Sequence, residues 1–301
     1  MKNAKKWAII GFMCLLLGAI ILLATFASAG FDIEKLYSRQ LITTLYEFED
    51  DFDKIHISVL TSDVTFARAG DGKTKIEVRE IEKIPHTVSV DENTLEITDK
   101  DMRKWADRLN FGDAKVSITV YLPKDAYESA DIRTLTGDIN IVPGFSFGSL
   151  QANTSTGKIV VTGVQAETMI ALGTTGKIMI TDAVVQEELV SMMTTGDIGI
   201  CRAQSQYLDV AATTGDVMLT DVEIKDLMSV KVTTGDISFR RCDAGEAYLK
   251  ATTGDIEGTF MTEKVFYAKA TTGRVSVPST QSGGVCQATT TTGHIDISIG
   301  G

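Results

Sequence analysis

Apolar and polar residues alternate in short runs through the C-terminal two-thirds of the chain, and the runs repeat at a fixed spacing. In one repeat Leu208, Val210 and Ala212 occupy alternate positions, and the alternation resumes out of phase after Gly215, beginning with Val217. Alternation with a period of two predicts strands that have one buried face. The change of phase predicts a corner of the chain at the glycine.

The corner motif, most often Thr-Gly-Asp-Ile, occurs in nine copies that are 19 or 20 residues apart. Its glycines are Gly137, Gly157, Gly176, Gly196, Gly215, Gly235, Gly254, Gly273 and Gly293. Glycine supplies a corner conformation that other residues adopt only at a cost. Two short strands per repeat and no helical pattern predict an all-β fold, a single-stranded β-solenoid of about nine coils over residues 126–301.

The pattern is less regular before these repeats, and residues 46–125 predict an irregular β cap on the N-terminal end of the solenoid. Thr61-Ser62-Asp63-Val64 resembles the corner motif with serine in place of glycine. Asp101 to Leu109 is the only part of this range that predicts a short helix. Residues 31–45 would form a juxtamembrane linker to the cap.

The N-terminus predicts one transmembrane helix. Three lysines lie within residues 1–6, and residues 7–30 carry no charge, which exceeds the roughly 20 apolar residues that span a bilayer. Cations before the span and Asp32 after it predict a cytoplasmic N-terminus and an extracytoplasmic remainder at the cell membrane. The alternative is a signal peptide cleaved near Ala29, which would leave a secreted chain.

Charge and residue spacing exclude several kinds of function. The formal net charge of −11 argues against nucleic acid and against an anionic membrane surface as partners. His56, His86 and His294 have no second ligand at metal spacing, and no Ser-His-Asp set or phosphate-binding loop is evident. The sequence therefore predicts neither catalysis nor a cofactor.

The residues that follow the corner glycines would form a column along the solenoid, and four consecutive members are acidic. These are Asp197, Asp216, Asp236 and Asp255. Carboxylates about 5 Å apart could bind Ca²⁺ between coils, so these four are the candidate metal ligands. The chain lacks the calcium-binding nonapeptide, and aspartate beside glycine is ordinary corner chemistry, so the sequence favours a corner role.

The serial Thr-Gly-Asp-Ile rungs, the predicted anchor and the irregular segment containing Asp101 to Trp105 together resemble one family. This is the putative-adhesin family, also called the toastrack domain, a domain of unknown function common in Firmicutes. The resemblance covers about residues 45–301. It implies an extracytoplasmic β-strand-repeat module of the bacterial cell envelope, often encoded near membrane-linked regulators. The family offers no established catalytic residues.

We therefore expect a membrane-anchored binding or scaffold module that is not an enzyme. Its partners would be the membrane, through the N-terminal helix, and another envelope protein or a cell-surface polymer. One alternative is a sensory accessory of an envelope-stress regulatory system. A second is a carbohydrate-active β-solenoid enzyme, although the coils lack the loop insertions that build a cleft in such enzymes.

The last coil predicts a site of self-association. The strand Ile295 to Ile299 lies in the final coil, so we expect it to be the free edge of the solenoid. It contains no proline or lysine to block the addition of another strand. The C-terminal coil would then pair with a partner or with a second copy of the chain.

Overall fold

The structure is a computed structural model that describes residues 41–49, 51–82, 85–99 and 115–300. The predicted anchor at 7–30, most of the linker and the predicted helix at 101–109 lie outside these residues. Within the described ranges, no helix has the length and apolar character needed to cross a membrane. The chain divides into two compact units, and every described residue except Leu41 belongs to the second, which comprises residues 42–109 and 115–301.

The regular structure of the described residues consists of strands, which confirms the all-β prediction. They are β1 Leu41–Phe48, β2 Lys54–Thr61, β3 Asp63–Arg68, β4 Thr74–Ile81, β5 His86–Asp91, β6 Thr94–Asp99, β7 Ser117–Leu122, β8 Ala126–Thr136, β9 Ile139–Ile141, β10 Ser146–Thr162, β11 Gln165–Thr214, β12 Val217–Thr234, β13 Ile237–Thr253, β14 Ile256–Phe260, β15 Lys264–Thr272, β16 Val275–Ser276, β17 Gly284–Thr292 and β18 Ile295–Ile299. The longest, β11, runs through more than two repeats.

Successive repeats stack in parallel and in register. In the pairing of β10 with β11, Gly157 lies opposite Gly176, and Ile159 lies opposite Ile178. On its other side, Ile159 of β10 lies opposite Ile139 of β9. Equal positions of the repeat therefore form columns, and the arrangement is solenoid-like.

The apolar columns form a continuous core. Ile159, Ile178, Ile198, Val217 and Ile237 come from five consecutive repeats and are fully buried. Inward positions before the corner are smaller, including several buried alanines. Burial of each large aliphatic side chain contributes about 1.5–3 kcal/mol, and each coil obtains it from its neighbours because one coil alone has no second layer.

The last two repeats stack out of sequence order. β13 pairs with β17, so that Ala247 lies opposite Cys286, and β14 pairs with β18. The coil of Gly293 therefore lies directly on the coil of Gly254. The other sides of β17 and β18 are covered by β15 and β16, so the coil of Gly273 ends the stack.

The prediction that Ile295 to Ile299 forms the free edge is therefore wrong. This strand lies between β14 and β16. The prediction assumed that coils stack in the order of the sequence, and the period of the repeat is the same in either order. At this end of the stack, the outermost described strands are β15 and β16 instead.

A similar exchange occurs at the N-terminal end. β2 pairs in parallel with β8 on one side and with β6 on the other, while β3 lies between β9 and β7. Residues 54–68 thus form a coil between the coil of Gly137 and one built from β6 and β7. Antiparallel strands then cover this end, because β4 pairs with β7 and β5 with β6. β1 pairs in turn with β4.

Candidate functional site

The corner glycines form one continuous column. All nine have φ between 130° and 152°, a region that favours glycine. A Cβ atom on any of them would lie 1.8–2.2 Å from the carbonyl oxygen of the residue below it in the column. The corner therefore has no space for a side chain. The same contacts give the stacking order Ser62, Gly137 and onward to Gly254, then Gly293 and finally Gly273.

The aspartates predicted as candidate metal ligands lie in the next column, and their carboxylates bind backbone donors. The Asp216 N–H donates to Asp197 Oδ1 at 3.2 Å, and the Asp236 N–H donates to Asp216 Oδ1 at 2.9 Å. Asp255 and His294 continue the series at 2.8 and 2.6 Å. Each carboxylate thus holds the next coil. Among the described residues, no group of three or more His, Cys, Asp or Glu is arranged to hold a metal.

A second corner column carries ion pairs that sequence reasoning missed. Asp182, Arg202, Asp221 and Arg241 all have φ between 50° and 55°. Arg202 binds Asp182 with two hydrogen bonds of 2.5 and 2.9 Å, and Arg241 binds Asp221 in the same way. Hydrogen bonds from Arg202 hold the pKa of Asp182 below its usual range. Aligning the repeats would have shown this alternation of acid and base.

The structure also brings together a serine, a histidine and a glutamate that are distant in sequence. Ser62 Oγ lies 3.1 Å from His86 Nε2, and His86 Nδ1 lies 2.8 Å from Glu80 Oε2. The Ser62 hydroxyl donates to the Thr61 carbonyl at 2.7 Å, and all three side chains are buried. A substrate cannot reach the hydroxyl, so the cluster supports the corner at which serine replaces glycine. Ser62 is not among the residues with positive φ.

A groove with a volume of about 980 Å³ is the candidate binding site along the side of the stack. It is lined by segments of the stacked repeats and by two connections near the end of the stack: 184–186, 204–206, 223–225, 243–245, 261–264 and 282–284. Val184 and Met261 expose 45% and 44% of their surface there. Gln204 and Glu223 are joined by a hydrogen bond of 3.3 Å. The groove surface thus combines exposed aliphatic side chains with amide and carboxylate groups.

The groove lining contains an ion pair between a buried lysine and a partly exposed aspartate. Lys264 Nζ lies 2.6 Å from Asp243 Oδ1, the Lys264 side chain is 2% exposed, and the ammonium lies 5.4 Å from the centre of the Phe260 ring. Thr262 Oγ1 also donates to Asp243 at 2.8 Å. Burial raises the pKa of Asp243, but the hydrogen bonds from Lys264 and Thr262 outweigh it and hold that pKa below its usual range.

This ion pair lies where two connections meet. One connection leads from β14 to β15 and the other from β16 to β17. The Thr280 hydroxyl donates to the Lys264 carbonyl, and the Ser282 hydroxyl donates to Glu263. These contacts hold the two connections together, and the exchanged order of the last two coils depends on both.

Beyond the groove, β15 and β16 pair only with β17 and β18 among the described strands. Phe266, Ala268 and Ala270 point toward the core but are only partly buried. Tyr267 is 62% and Val275 39% exposed. This edge of the stack therefore leaves backbone groups and part of the core uncovered.

Comparisons with known proteins agree on one fold. The model of the Toastrack DUF4097 family matches residues 52–263 and 194–301. A crystal structure described as a putative adhesin from Bacteroides fragilis is similar, with a TM-score of 0.50, 15% identity, and coverage of 87% of this chain and 98% of that one. One described as a putative lipid binding protein from Parabacteroides distasonis has a TM-score of 0.54, 15% identity, and coverage of 88% and 98%. No curated protein matches.

Proposed function

This chain belongs to the Toastrack DUF4097 family, and we propose that it acts as a non-catalytic binding or scaffold module of the bacterial cell envelope. The description of the Bacteroides fragilis relative as a putative adhesin agrees with a binding role. The uncharged residues 7–30 would anchor the chain in the cell membrane as a single span with a cytoplasmic N-terminus. Cleavage near Ala29 would instead release the same module.

The groove is the observation that carries this proposal. It crosses stacked repeats without interruption, and its surface combines exposed aliphatic side chains with amides and carboxylates. Pockets of this composition bind ligands by apolar contact and orient them by a few polar groups. An extended ligand, a segment of another envelope protein or a cell-surface polymer, fits such a groove better than a compact molecule does.

The contacts of the groove residues favour binding over catalysis. No histidine or cysteine lines the groove among the described residues. The Ser205 hydroxyl donates to the Tyr207 carbonyl at 2.7 Å, so it has no base to activate it. Lys264 is held by Asp243. We therefore assign a binding role to the groove.

The test is a binding assay with the full chain in detergent and insoluble cell-wall polymer from the bacterium that produces it. A groove variant carries Val184→Lys and Met261→Lys, and the control carries Leu135→Lys, which is exposed outside the groove. We expect the groove variant to lose at least tenfold in bound fraction and the control to bind like the parent. Photocrosslinking from position 204 in intact cells detects a protein ligand. Equal binding by all variants, with no crosslinked product, would refute the proposal.

A further inference from the structure

The end coil, defined as residues 264–277, differs from the rest of the chain in charge. It contains Lys264, Lys269 and Arg274 and no acidic residue, whereas the whole chain has a net charge of −11. Lys264 is buried against Asp243, but Lys269 and Arg274 are exposed. The uncovered edge of the stack is therefore a basic strand edge on an acidic protein.

In the end coil, the side chain in the column after the corner glycines is a hydrogen-bond donor instead of an acceptor. Within the column after the corner glycines, Asp255 Oδ1 accepts the backbone N–H of His294, and His294 Nδ1 accepts that of Arg274. A strand added outside the end coil would meet the side chain of Arg274, which can only donate hydrogen bonds. A strand added at this end is favoured if it brings a carboxylate to that position.

These features decide which strand fits the edge. Two copies that met edge to edge would bring their basic end coils together, which disfavours self-pairing. Strand β1 of a second copy carries a single acidic residue, Glu47, and is already paired with β4. A flat anionic surface would neutralise the charges of Lys269 and Arg274 but would leave the backbone N–H and C=O groups of β15 unpaired. An extended peptide forms hydrogen bonds with these groups.

We propose that the end coil binds an extended acidic segment of another protein by strand addition. Backbone hydrogen bonds to β15 extend the stack by one layer, and the segment covers Phe266 and Val275. Its carboxylates pair with Lys269 and Arg274. The end coil shares only Lys264 with the lining of the proposed ligand groove, and binding through Lys269, Arg274 and the edge of β15 does not depend on the proposed groove function.

The test measures peptide binding by fluorescence anisotropy with the full chain in detergent. The probe is a nine-residue peptide that alternates Val or Thr with Glu, and a matched probe has Lys in place of Glu. We expect the acidic probe to bind at least tenfold more tightly, and more weakly at high salt. A proline in the centre of the acidic probe should abolish binding because it removes a backbone donor.

Charge reversal supplies the matched control. Lys250 and Lys269 occupy the same column, with Thr289 between them. Lys250 belongs to an interior coil, which has a neighbouring coil on each side. Lys269→Glu combined with Arg274→Glu should reverse the preference between the two probes, while Lys250→Glu should leave it unchanged. Both end substitutions are at exposed positions, and an unchanged circular dichroism spectrum confirms folding. The groove variant should bind the acidic probe like the parent.

Three results would overturn the proposal. The first is equal affinity for the acidic and basic probes. The second is binding to vesicles of anionic lipid that is lost in the end variant, without binding of either peptide. The third is a dimer of the parent, seen by analytical ultracentrifugation, that dissociates on the same charge reversal. If the groove variant loses polymer binding and the end variant does not, that result tests the proposed function of the groove and not the proposal for the end coil.

Discussion

At both ends of the stack the coils depart from sequence order, but the outermost coil is covered at one end and exposed at the other. At the N-terminal end, β4 and β5 run antiparallel to the outermost coil and cover it, and Ile76 and Val78 of β4 are fully buried. At the other end, Tyr267 and Val275 are exposed. An end coil in a linear stack has one neighbour instead of two. Among the described residues, antiparallel strands therefore cover the core at one end, whereas the core at the other end is covered only in part.

The difference also assigns roles to the buried polar groups. Ser62, His86 and Glu80 lie at the closed end and are fully enclosed. Asp243 and Lys264 lie beside the groove, where the connections of the open end meet. Each cluster supports the local departure from regular stacking.

The largest effect is expected at a corner in the interior of the stack. Gly215→Val would place a β-branched residue at a φ of 135°, with its Cβ 2.1 Å from the Gly196 carbonyl oxygen. Strain and overlap together should destabilise the chain by at least about 3 kcal/mol. Chemical denaturation measures the loss. Gly273→Val, in the end coil, should lower the stability of that coil alone, and equal global losses would contradict the comparison.

Removal of residues 283–301 should unfold the end coil. β15 and β16 pair with β17 and β18, so this truncation leaves them without the strands on which they stack. Hydrogen exchange should become fast across residues 264–277 and stay slow across β12, which keeps both neighbours. Retained protection of 264–277 would show that this segment can stack directly on the coil of Gly254.

Asp243→Asn should destabilise the open end by about 2 kcal/mol, since it leaves a buried ammonium without its counterion. The lowered pKa of Asp243 means that the ionised carboxylate stabilises the fold above its unfolded pKa of about 3.9. That contribution is lost as the pH falls through the folded pKa. Thermal unfolding between pH 2 and pH 7 should show a smaller acid-dependent loss in the variant, and parallel curves would contradict the account.

Ser62→Gly should cost about 1 kcal/mol at the closed end, although it restores the corner motif. The change removes the buried hydroxyl beside His86 and gives the unfolded chain more freedom. The matched control is Ser279→Gly, in an exposed segment outside the strands. A variant more stable than the parent would show that the buried cluster does not support this corner.

The repeat was enough to predict the all-β class and the relation between neighbouring coils. Period-two alternation identifies buried faces, and a constant spacing brings the same repeat positions together. The exchanged coils could not be predicted, because the coils of Gly273 and Gly293 have the same pattern. Their order depends on contacts such as Lys264 with Asp243.

Some of the candidate sites could likewise be predicted from the sequence, and others could not. The aspartate column could be predicted from spacing, as could its alternative corner chemistry. The approach of His86 to Ser62 could not, because it depends on the antiparallel closure by β4 and β5. The groove is likewise a product of stacking, since its lining comes from six separate segments. No short motif in the sequence marks it.

The most direct test of the account is a pair of engineered disulfides that report coil order. Lys250 lies opposite Thr289, which in turn lies opposite Lys269, so Lys250 and Lys269 are two layers, or about 10 Å, apart. With Cys14 and Cys201 replaced by serine, Lys250→Cys with Thr289→Cys should crosslink under mild oxidation. Lys250→Cys with Lys269→Cys should not, because disulfides require Cα atoms within about 7 Å. Efficient crosslinking of the second pair and none of the first would contradict the exchanged order and, with it, the basic open edge.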